Sequence, residues 1–251
     1  MIDIDLCWRA EEACAAAWPA TREIILGQWR VRAAGGPTRR LNSVNPLRGP
    51  TYDPRPVMAE AEAVYGRLGR APVYRAPSIA TGMDDVLEAS GYVASSQTVT
   101  SFADLRRRGP VGDGKALRSD RADAAWLNFR NRVTAATPDE ARSYADTVSN
   151  IITPVCFASV AVDGLVVSAA YGALCRDLLV IESVATDPAM RRQGHGRSVV
   201  SALMDWAQSQ GVPGACLQVV ADNHGARKLY EGLGFDRMLY AYHYRSPPVS
   251  V

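Results

Sequence analysis

The sequence lacks the patterns of several common functional classes. Its 251 residues contain three histidines, which lie far apart, and no H-E-x-x-H helix that would bind zinc. The five cysteines are odd in number and scattered, with no C-x-x-C pair, so neither a disulfide framework nor a zinc knuckle is favoured. A formal net charge of +2 gives no strong basic bias, so we expect no nucleic-acid partner.

Long apolar runs and a leader segment are also missing. The longest apolar runs flank Asp163-Gly164 and reach about half of the roughly 18 residues that a membrane-spanning helix needs, so no membrane partner is expected. The first residues carry acids and no basic region ahead of an apolar core, which predicts the absence of a signal peptide. Together with the cysteine pattern, this favours a cytoplasmic protein.

The remaining composition, 47% hydrophobic, can supply one large core or two small ones. A polar, glycine-rich stretch at residues 106–120 is the best candidate for a linker. Asp163-Gly164 between two β-rich runs predicts a hairpin, because both turn positions favour positive φ. The other predicted elements are a strand at "WRVRA", a buried strand at 178–186, and helices near 10–18, 56–68, 122–132 and 138–151.

Two pairs of short segments resemble each other at nearly equal spacing. "LEASGY" (87–92) is similar to "YEGLGF" (230–235), and "LNSVNP" (41–46) is similar to "IESVAT" (181–186). We infer a duplication of one unit, with domains at residues 1–115 and 116–251. Chance similarity of short helix-end signals is the alternative. The strand-like residues 95–102 could end the first half or add a strand to the second.

The segment "RRQGHG" (191–196) precedes an apolar, helix-like stretch. The first turn of a helix has unpaired N–H groups and a partial positive charge, so it can bind a phosphate. Gly194 and Gly196 remove side chains that would keep an anion away, and Arg191 and Arg192 add charge. No Walker motif is present, and Val199 stands where a dinucleotide fingerprint needs glycine. The segment predicts a pyrophosphate cradle.

The same string matches the R/Q-x-x-G-x-G/A signature of the GNAT superfamily, the acyl-CoA-dependent N-acyltransferases. With "IESVATDPAM" before it and "LYEGLGF" after it, residues from about 122 to 245 resemble that superfamily. The resemblance implies an α/β fold, a mixed, twisted β-sheet with helices on both faces. A smaller, degenerate GNAT-like half would precede it, because no such signature follows "LNSVNP".

The resemblance also implies acetyl-CoA as cosubstrate, with no metal. Strands four and five separate in this superfamily, and the pantetheine arm would pair with the backbone of Val184, Ala185 and Thr186. The amides of residues 193–198 would hold the pyrophosphate, and Asn223 would contact the pantetheine arm. The implied residues of the pyrophosphate cradle are Arg191, Arg192, Gln193, Gly194, His195, Gly196, Arg197 and Ser198.

The resemblance implies two catalytic residues. Tyr230 matches a tyrosine that acts near the sulfur as general acid, with a packed aromatic ring as the alternative. Glu182 matches a carboxylate that takes a proton from the amine, often through water. A structural or ammonium-binding carboxylate is the alternative for Glu182. In the first half, Leu87 and Asn42 stand at the matching positions, so that half has lost its chemistry.

Gln218 is a departure from the superfamily pattern. Some relatives that acetylate protein N-termini carry a glutamate base at this point, and glutamine cannot take a proton at neutral pH. This shifts proton removal to Glu182 or solvent. His195 and His224 are expected to be exposed loop residues rather than catalysts.

The sequence therefore predicts an N-acetyltransferase that moves an acetyl group from acetyl-CoA to a primary amine of a small molecule, by direct attack in a ternary complex. Acetylation of a protein amine and a non-catalytic acyl-CoA-binding module remain the alternatives. Assembly as a homodimer stays open.

Overall fold

The computed structural model describes residues 3–110 and 112–248. Its strands form one sheet with helices on both faces, so the predicted α/β architecture is confirmed. The helices are α1 Ile4–Ala17, α2 Arg55–Arg67, α3 Met83–Ala89, α4 Ala124–Val133, α5 Pro138–Ser149, α6 His195–Ser209 and α7 His224–Glu231. The strands are β1 Arg22–Leu26, β2 Trp29–Ala33, β3 Val44–Pro46, β4 Tyr74–Pro77, β5 Val93–Asp104, β6 Leu117–Ser119, β7 Val155–Val162, β8 Leu165–Cys175, β9 Leu178–Thr186, β10 Gly214–Val220 and β11 Arg237–Ser246.

The order of the eleven strands interleaves the two parts of the chain. It runs β1-β2-β3-β4-β11-β5-β10-β9-β8-β7-β6. β3 and β4 are parallel, as are β9 and β10, and the other neighbours are antiparallel. β5 therefore lies between β10 and β11, and β11 reaches β4. Residues 95–102 add a strand to the second part of the chain, which answers the question the sequence left open.

The same arrangement of four strands occurs approximately twice in this sheet. β2-β3-β4 with β11 beside it corresponds to β8-β9-β10 with β5 beside it, and each set contains one parallel pair. The two similar sequence segments fall at matching places, on β3 and β9 and at the ends of α3 and α7. The topology is what a duplication predicts. The domain division at residue 115 stays a prediction, because strands of both parts share one sheet.

Local signals placed several elements correctly. α2 begins at Arg55, with the predicted Pro56 in its first turn, and Val57 and Ala61 are buried on its inner side. Asp163 and Gly164 both have positive φ, 51° and 78°, as the hairpin requires. α5 begins with a capping box between Thr137 and Glu140.

The structure differs from the predicted linker at residues 106–120 in one respect. Its last residues form β6, which pairs with β7 at the edge of the sheet. A three-residue edge strand has no detectable alternation, so composition alone indicated a loop. β3, Val44–Pro46, is equally short, and the sequence did not predict it as a strand.

Helices α1 and α6 cover opposite faces of the sheet. On β9, Leu178 and Val180 pack in the cluster that contains α1, whereas Leu179 and Ile181 pack in the cluster that contains α6. Alternate side chains of a strand point to opposite faces, so the same strand supports both helices. Among the described residues, no helix is both long and apolar enough to span a bilayer.

Ion pairs join distant parts of the chain. Asp84 on α3 accepts hydrogen bonds from the Arg245 guanidinium on β11, at 2.8 and 2.9 Å, and lies 2.6 Å from Nε2 of His243. The hydrogen bond from Arg245, followed by the effect of His243, lowers the pKa of Asp84. The carboxylate form is therefore favoured in the folded protein.

We predict that Asp84→Asn lowers stability at neutral pH and reduces its acid sensitivity. Because the pKa of Asp84 is lower in the folded state, its contribution is present above the unfolded value of about 3.9 and is lost as pH falls through the folded value. The carboxylate is 41% exposed, so the loss is about 1 kcal/mol or less. Urea denaturation between pH 3 and 7 measures it, with Asp85→Asn on the same helix as control. A constant difference from wild type across that range would contradict the prediction.

Candidate active site

The site begins where two parallel strands separate. β9 pairs with β10 from Leu178 to Ile181, opposite Gly214 to Leu217, and the pairing then stops. Both strands continue, β9 to Thr186 and β10 to Val220, and each is held by its outer neighbour, β8 or β5. A gap therefore opens beside Val184, Ala185 and Thr186, where backbone groups can pair with an extended ligand.

A β-bulge bends β9 at the start of this gap. The register with β8 shifts between Ala169 and Tyr171, and Ser183 has a φ of 55°. The Ser183 hydroxyl accepts a hydrogen bond of 2.8 Å from the Tyr144 hydroxyl of α5. The bulge adds one residue to β9 and turns the strand away from β10.

The predicted cradle lies between the gap and α6. Gly194 is the N-cap of α6 with a φ of 86°, and Arg192 is also left-handed at 65°. The amides of residues 195–197 have no acceptor within the helix, as in any first turn. Ser198 is different, because its amide donates to Gly194 O at 3.0 Å. The Ser198 amide is therefore already paired within the helix, and its contact with the pyrophosphate stays a prediction.

Gly196 lies where the helix approaches β9 and α7. A Cβ at this position would be 3.2 Å from Thr186 Oγ1 and 3.4 Å from a Leu229 methyl group. Glycine therefore allows α6 to begin beside the end of β9. At Gly194 the space is open, and glycine is needed there for its positive φ.

A cleft of about 660 Å³ joins the gap and the cradle. Of the predicted residues, it is lined by Val184, Ala185, Thr186, Arg191, Arg192, Gly194, His195, Gly196, Arg197, Asn223 and Tyr230. Three predicted residues lie outside its lining. Ser198 is buried, with its hydroxyl 2.7 Å from Asp113, Gln193 is exposed beside Met190, and Glu182 is on the opposite face.

Helix ends account for the geometry of two polar residues in the cleft. Asn223 is the N-cap of α7, where its Oδ1 accepts from Ala226 N at 3.1 Å. The cap uses the oxygen, so the amide nitrogen can donate to a ligand. Arg197 donates to Gly232 O at 3.1 Å, which holds the start of α6 against the end of α7.

The position of His195 differs from the prediction of an exposed loop residue. It is the first residue of α6 and is half-buried. Neither ring nitrogen has a hydrogen-bond partner within residues 3–110 and 112–248, although both are shielded from solvent. His224 is exposed at the start of α7, as expected.

Tyr230 is half-buried on α7, where it lines the cleft and packs edge-on against Phe235, with 6.1 Å between ring centroids. Burial, and to a smaller degree the carboxylate of Glu182, raises the pKa of Tyr230 above its usual value. The hydroxyl therefore stays protonated and can donate a hydrogen bond.

Glu182 is buried, at 5% exposure, and is held by a residue that sequence reasoning missed. Arg40 donates to both of its oxygens, Nη1 to Oε1 at 2.6 Å and Nη2 to Oε2 at 3.0 Å. Arg40 Nη1 also lies 3.4 Å from Gln218 Oε1. Arg40 is 142 positions from Glu182 and belongs to no motif, so no sequence signal pointed to it.

Asn42, which matches Glu182 in the repeat, has a structural role. Its Oδ1 accepts from Ala34 N at 3.0 Å, and its Nδ2 donates to Thr38 O at 3.0 Å. The side chain thus closes the loop that carries Arg40. This agrees with the loss of chemistry predicted for the first half.

Comparison with known proteins shows which family this chain belongs to. The family described as "Probable histone acetyltransferase Rv0428c C-terminal" matches residues 8–245. The chain belongs to this family, within the GNAT superfamily. It is also 25% identical to the "Uncharacterized N-acetyltransferase YobR" of Bacillus subtilis, over 94% of this chain and 97% of that protein. It is therefore an acyl-CoA-dependent N-acetyltransferase.

Two solved structures show the fold over nearly the whole chain. A GCN5-related N-acetyltransferase from Kribbella flavida superposes with a TM-score of 0.69 at 17% identity, covering 98% of this chain and 96% of that one. A tandem GNAT protein from the clavulanic acid biosynthesis pathway superposes with a TM-score of 0.66 at 12% identity, covering 97% and 92%.

The residues present fit a coenzyme A molecule. The unpaired edge of β9, the left-handed cradle and the arginines beside it form one continuous cleft. Among the described residues, no group of three or more histidine, cysteine, aspartate or glutamate side chains could hold a metal ion.

We predict that Gly194→Val weakens coenzyme A binding at least tenfold, measured by calorimetry. Valine disfavours the positive φ that directs the amides toward the ligand, and the strain costs about 1–2 kcal/mol. Gly211→Val is the matched control, because Gly211 has a φ of 74° and equally open space just past the C-terminal end of α6. Equal coenzyme affinity in the two variants would refute the cradle assignment.

Proposed function

We propose that the protein transfers the acetyl group of acetyl-CoA to a primary amine of a small molecule, by direct attack in a ternary complex. The observation that carries this proposal is the gap between β9 and β10. Its cleft face holds the cradle and Tyr230, and its other face holds Glu182, Gln218 and Arg40. A thioester and an amine could therefore approach the gap from opposite faces.

The reaction requires two proton movements. Acetyl-CoA supplies the thioester, whose carbonyl carbon the amine nitrogen attacks. The N–C bond forms and the C–S bond breaks. One proton leaves the nitrogen and one is given to the sulfur, so that an amide and a free thiol result.

Tyr230 is the donor to the sulfur in this proposal. A free thiol has a pKa of about 8.5, well below the raised pKa of this phenol. Complete proton transfer to a relaxed thiolate would be unfavourable. The hydroxyl therefore stabilises the charge that develops on the sulfur by donating a hydrogen bond, and the departing thiolate takes its proton from water.

For Glu182, the contacts support a binding role more than a base role. Both carboxylate oxygens already accept hydrogen bonds from the Arg40 guanidinium, at 2.6 and 3.0 Å, so the carboxylate is committed to holding cationic groups. We assign Glu182 to holding the acceptor amine, its proton being lost to water. Ammonium binding is the alternative to the base role that the sequence analysis gave for Glu182.

Thiol release from acetyl-CoA across a panel of primary amines tests the function. We expect turnover with at least one small amine, and Tyr230→Phe should lower kcat at least tenfold while coenzyme affinity changes less than about twofold. Tyr52→Phe is the control, since Tyr52 stacks on Trp8 at 5.4 Å outside the cleft lining. An unchanged kcat in Tyr230→Phe would remove this residue from the mechanism.

A separate prediction concerns Glu182. We expect Glu182→Gln to raise the KM of the amine severalfold and to leave the pH profile of kcat unchanged, since water takes the proton. The double variant with Arg40→Gln controls for the unpaired guanidinium that the single change leaves. If the acidic limb of the kcat profile disappeared in both variants, Glu182 would instead be the base.

A further inference from the structure

A second cavity lies on the face of the sheet that carries Glu182. Its volume is about 240 Å³, and it is lined by α1, the strands β2 to β4, the loops beside them and Gln218 of β10. This is about eight times the volume of a water molecule in the liquid, enough for a molecule of amino-acid size. The cavity is lined by five arginines, namely Arg30, Arg32, Arg40, Arg48 and Arg75.

Protein carboxylates compensate these arginines incompletely. The lining itself contains two, Glu11 and Glu12. Arg75 forms an ion pair with Glu11, Arg40 with Glu182 and Arg48 with Asp5, while Glu12 is 3.0 Å from Arg176, which lies outside the lining. With five arginines against two carboxylates in the lining, the walls keep an excess of positive charge, and Arg30 and Arg32 are the two that lack a carboxylate of their own.

Arg30 and Arg32 share one carboxylate. Nε of Arg30 is 3.2 Å from Glu23, and Nε of Arg32 is 3.5 Å from the other oxygen of the same residue. The Glu23 side chain is 35% exposed, which weakens its effect through solvent screening. Burial lowers the pKa of Arg32 to about 10, so its charge is poorly solvated.

Two of the arginines are almost fully buried and still have an unused donor. Arg32 is 4% exposed and Arg75 is 3% exposed. In each, Nε donates no hydrogen bond in the part of the chain that the structure describes, although Nε of Arg32 lies 3.5 Å from Glu23 as an ion pair. A buried guanidinium with a free donor is costly unless a ligand oxygen completes its hydrogen bonds.

The cavity leads to the proposed reaction site. Arg40 and Gln218 both line it, and Arg40 also binds Glu182 at 2.6 and 3.0 Å. A molecule in the cavity could thus reach the carboxylate at the separation of β9 and β10. Its far end would lie against Arg30, Arg32 and Arg75.

We propose that the acceptor is a small primary amine that also carries an anionic group, a carboxylate or a phosphonate. The anionic group contacts Arg30, Arg32 and Arg75, and the amine points toward Gln218 and Glu182. This inference rests on the proposed function and specifies the substrate class of the same site. The small volume favours such a molecule over a protein segment.

Matched amines test the inference. Amines of one carbon skeleton that end in a carboxylate, a phosphonate or a carboxamide are compared in the thiol-release assay, and their binding is measured by calorimetry to protein saturated with coenzyme A. We expect kcat/KM for an anionic amine to exceed that for the carboxamide at least tenfold, because charge-assisted hydrogen bonds are lost in the neutral compound. The better of the two anionic amines identifies the anion.

Arg30→Gln is the test variant, because Arg30 is partly exposed and its removal leaves the buried pairs intact. The KM of the anionic amine should rise at least fivefold, whereas the carboxamide should be unaffected. Arg22→Gln is the matched control, on the neighbouring strand and outside the cavity lining. Equal effects on both compounds would indicate a structural role and overturn the assignment.

The outcomes separate this inference from the proposed function. If neutral amines are acetylated as well as anionic ones, the inference fails and the acetyltransfer stands. If anionic amines bind but no amine is acetylated, the anion site is supported and the proposed function fails. If no anionic amine binds and none is acetylated, both fail.

Discussion

The separation of β9 from β10 is the constraint on which the rest of the site depends. Two parallel strands that stop pairing leave backbone donors and acceptors open, and such groups are stable only if something else pairs with them. Here β8 and β5 hold the outer edges of the two strands, and the bulge at Ser183 directs β9 outward. The gap is therefore maintained by the whole sheet, and an extended ligand can complete it.

The interleaving of strands makes the two parts of the chain depend on each other. β5 comes from the first part and is the outer support of β10, and β11 comes from the second part and supports β4. Charged contacts follow the same pattern, since Asp84 holds Arg245 and Arg40 holds Glu182. The first part carries no coenzyme signature, but it supplies a strand and an arginine to the site of the second.

The two sides of the gap differ in chemistry. The cleft side has exposed arginines and backbone amides at a helix start, which suit a large and flexible phosphate-bearing ligand. The other side has enclosed guanidinium groups with few carboxylates, which suit a small, charged molecule. This difference supports the assignment of the coenzyme to one face and the acceptor to the other.

The sequence by itself determined the features that depend on neighbouring residues. The cradle needs glycine and arginine within six positions, and the hairpin at Asp163-Gly164 is equally local, so both patterns could be recognised in the sequence. Only the tertiary structure decided where β5 pairs, that Arg40 reaches Glu182, and that five arginines enclose one cavity. These contacts join side chains that are distant along the chain, and no local spacing encodes which distant strands become neighbours.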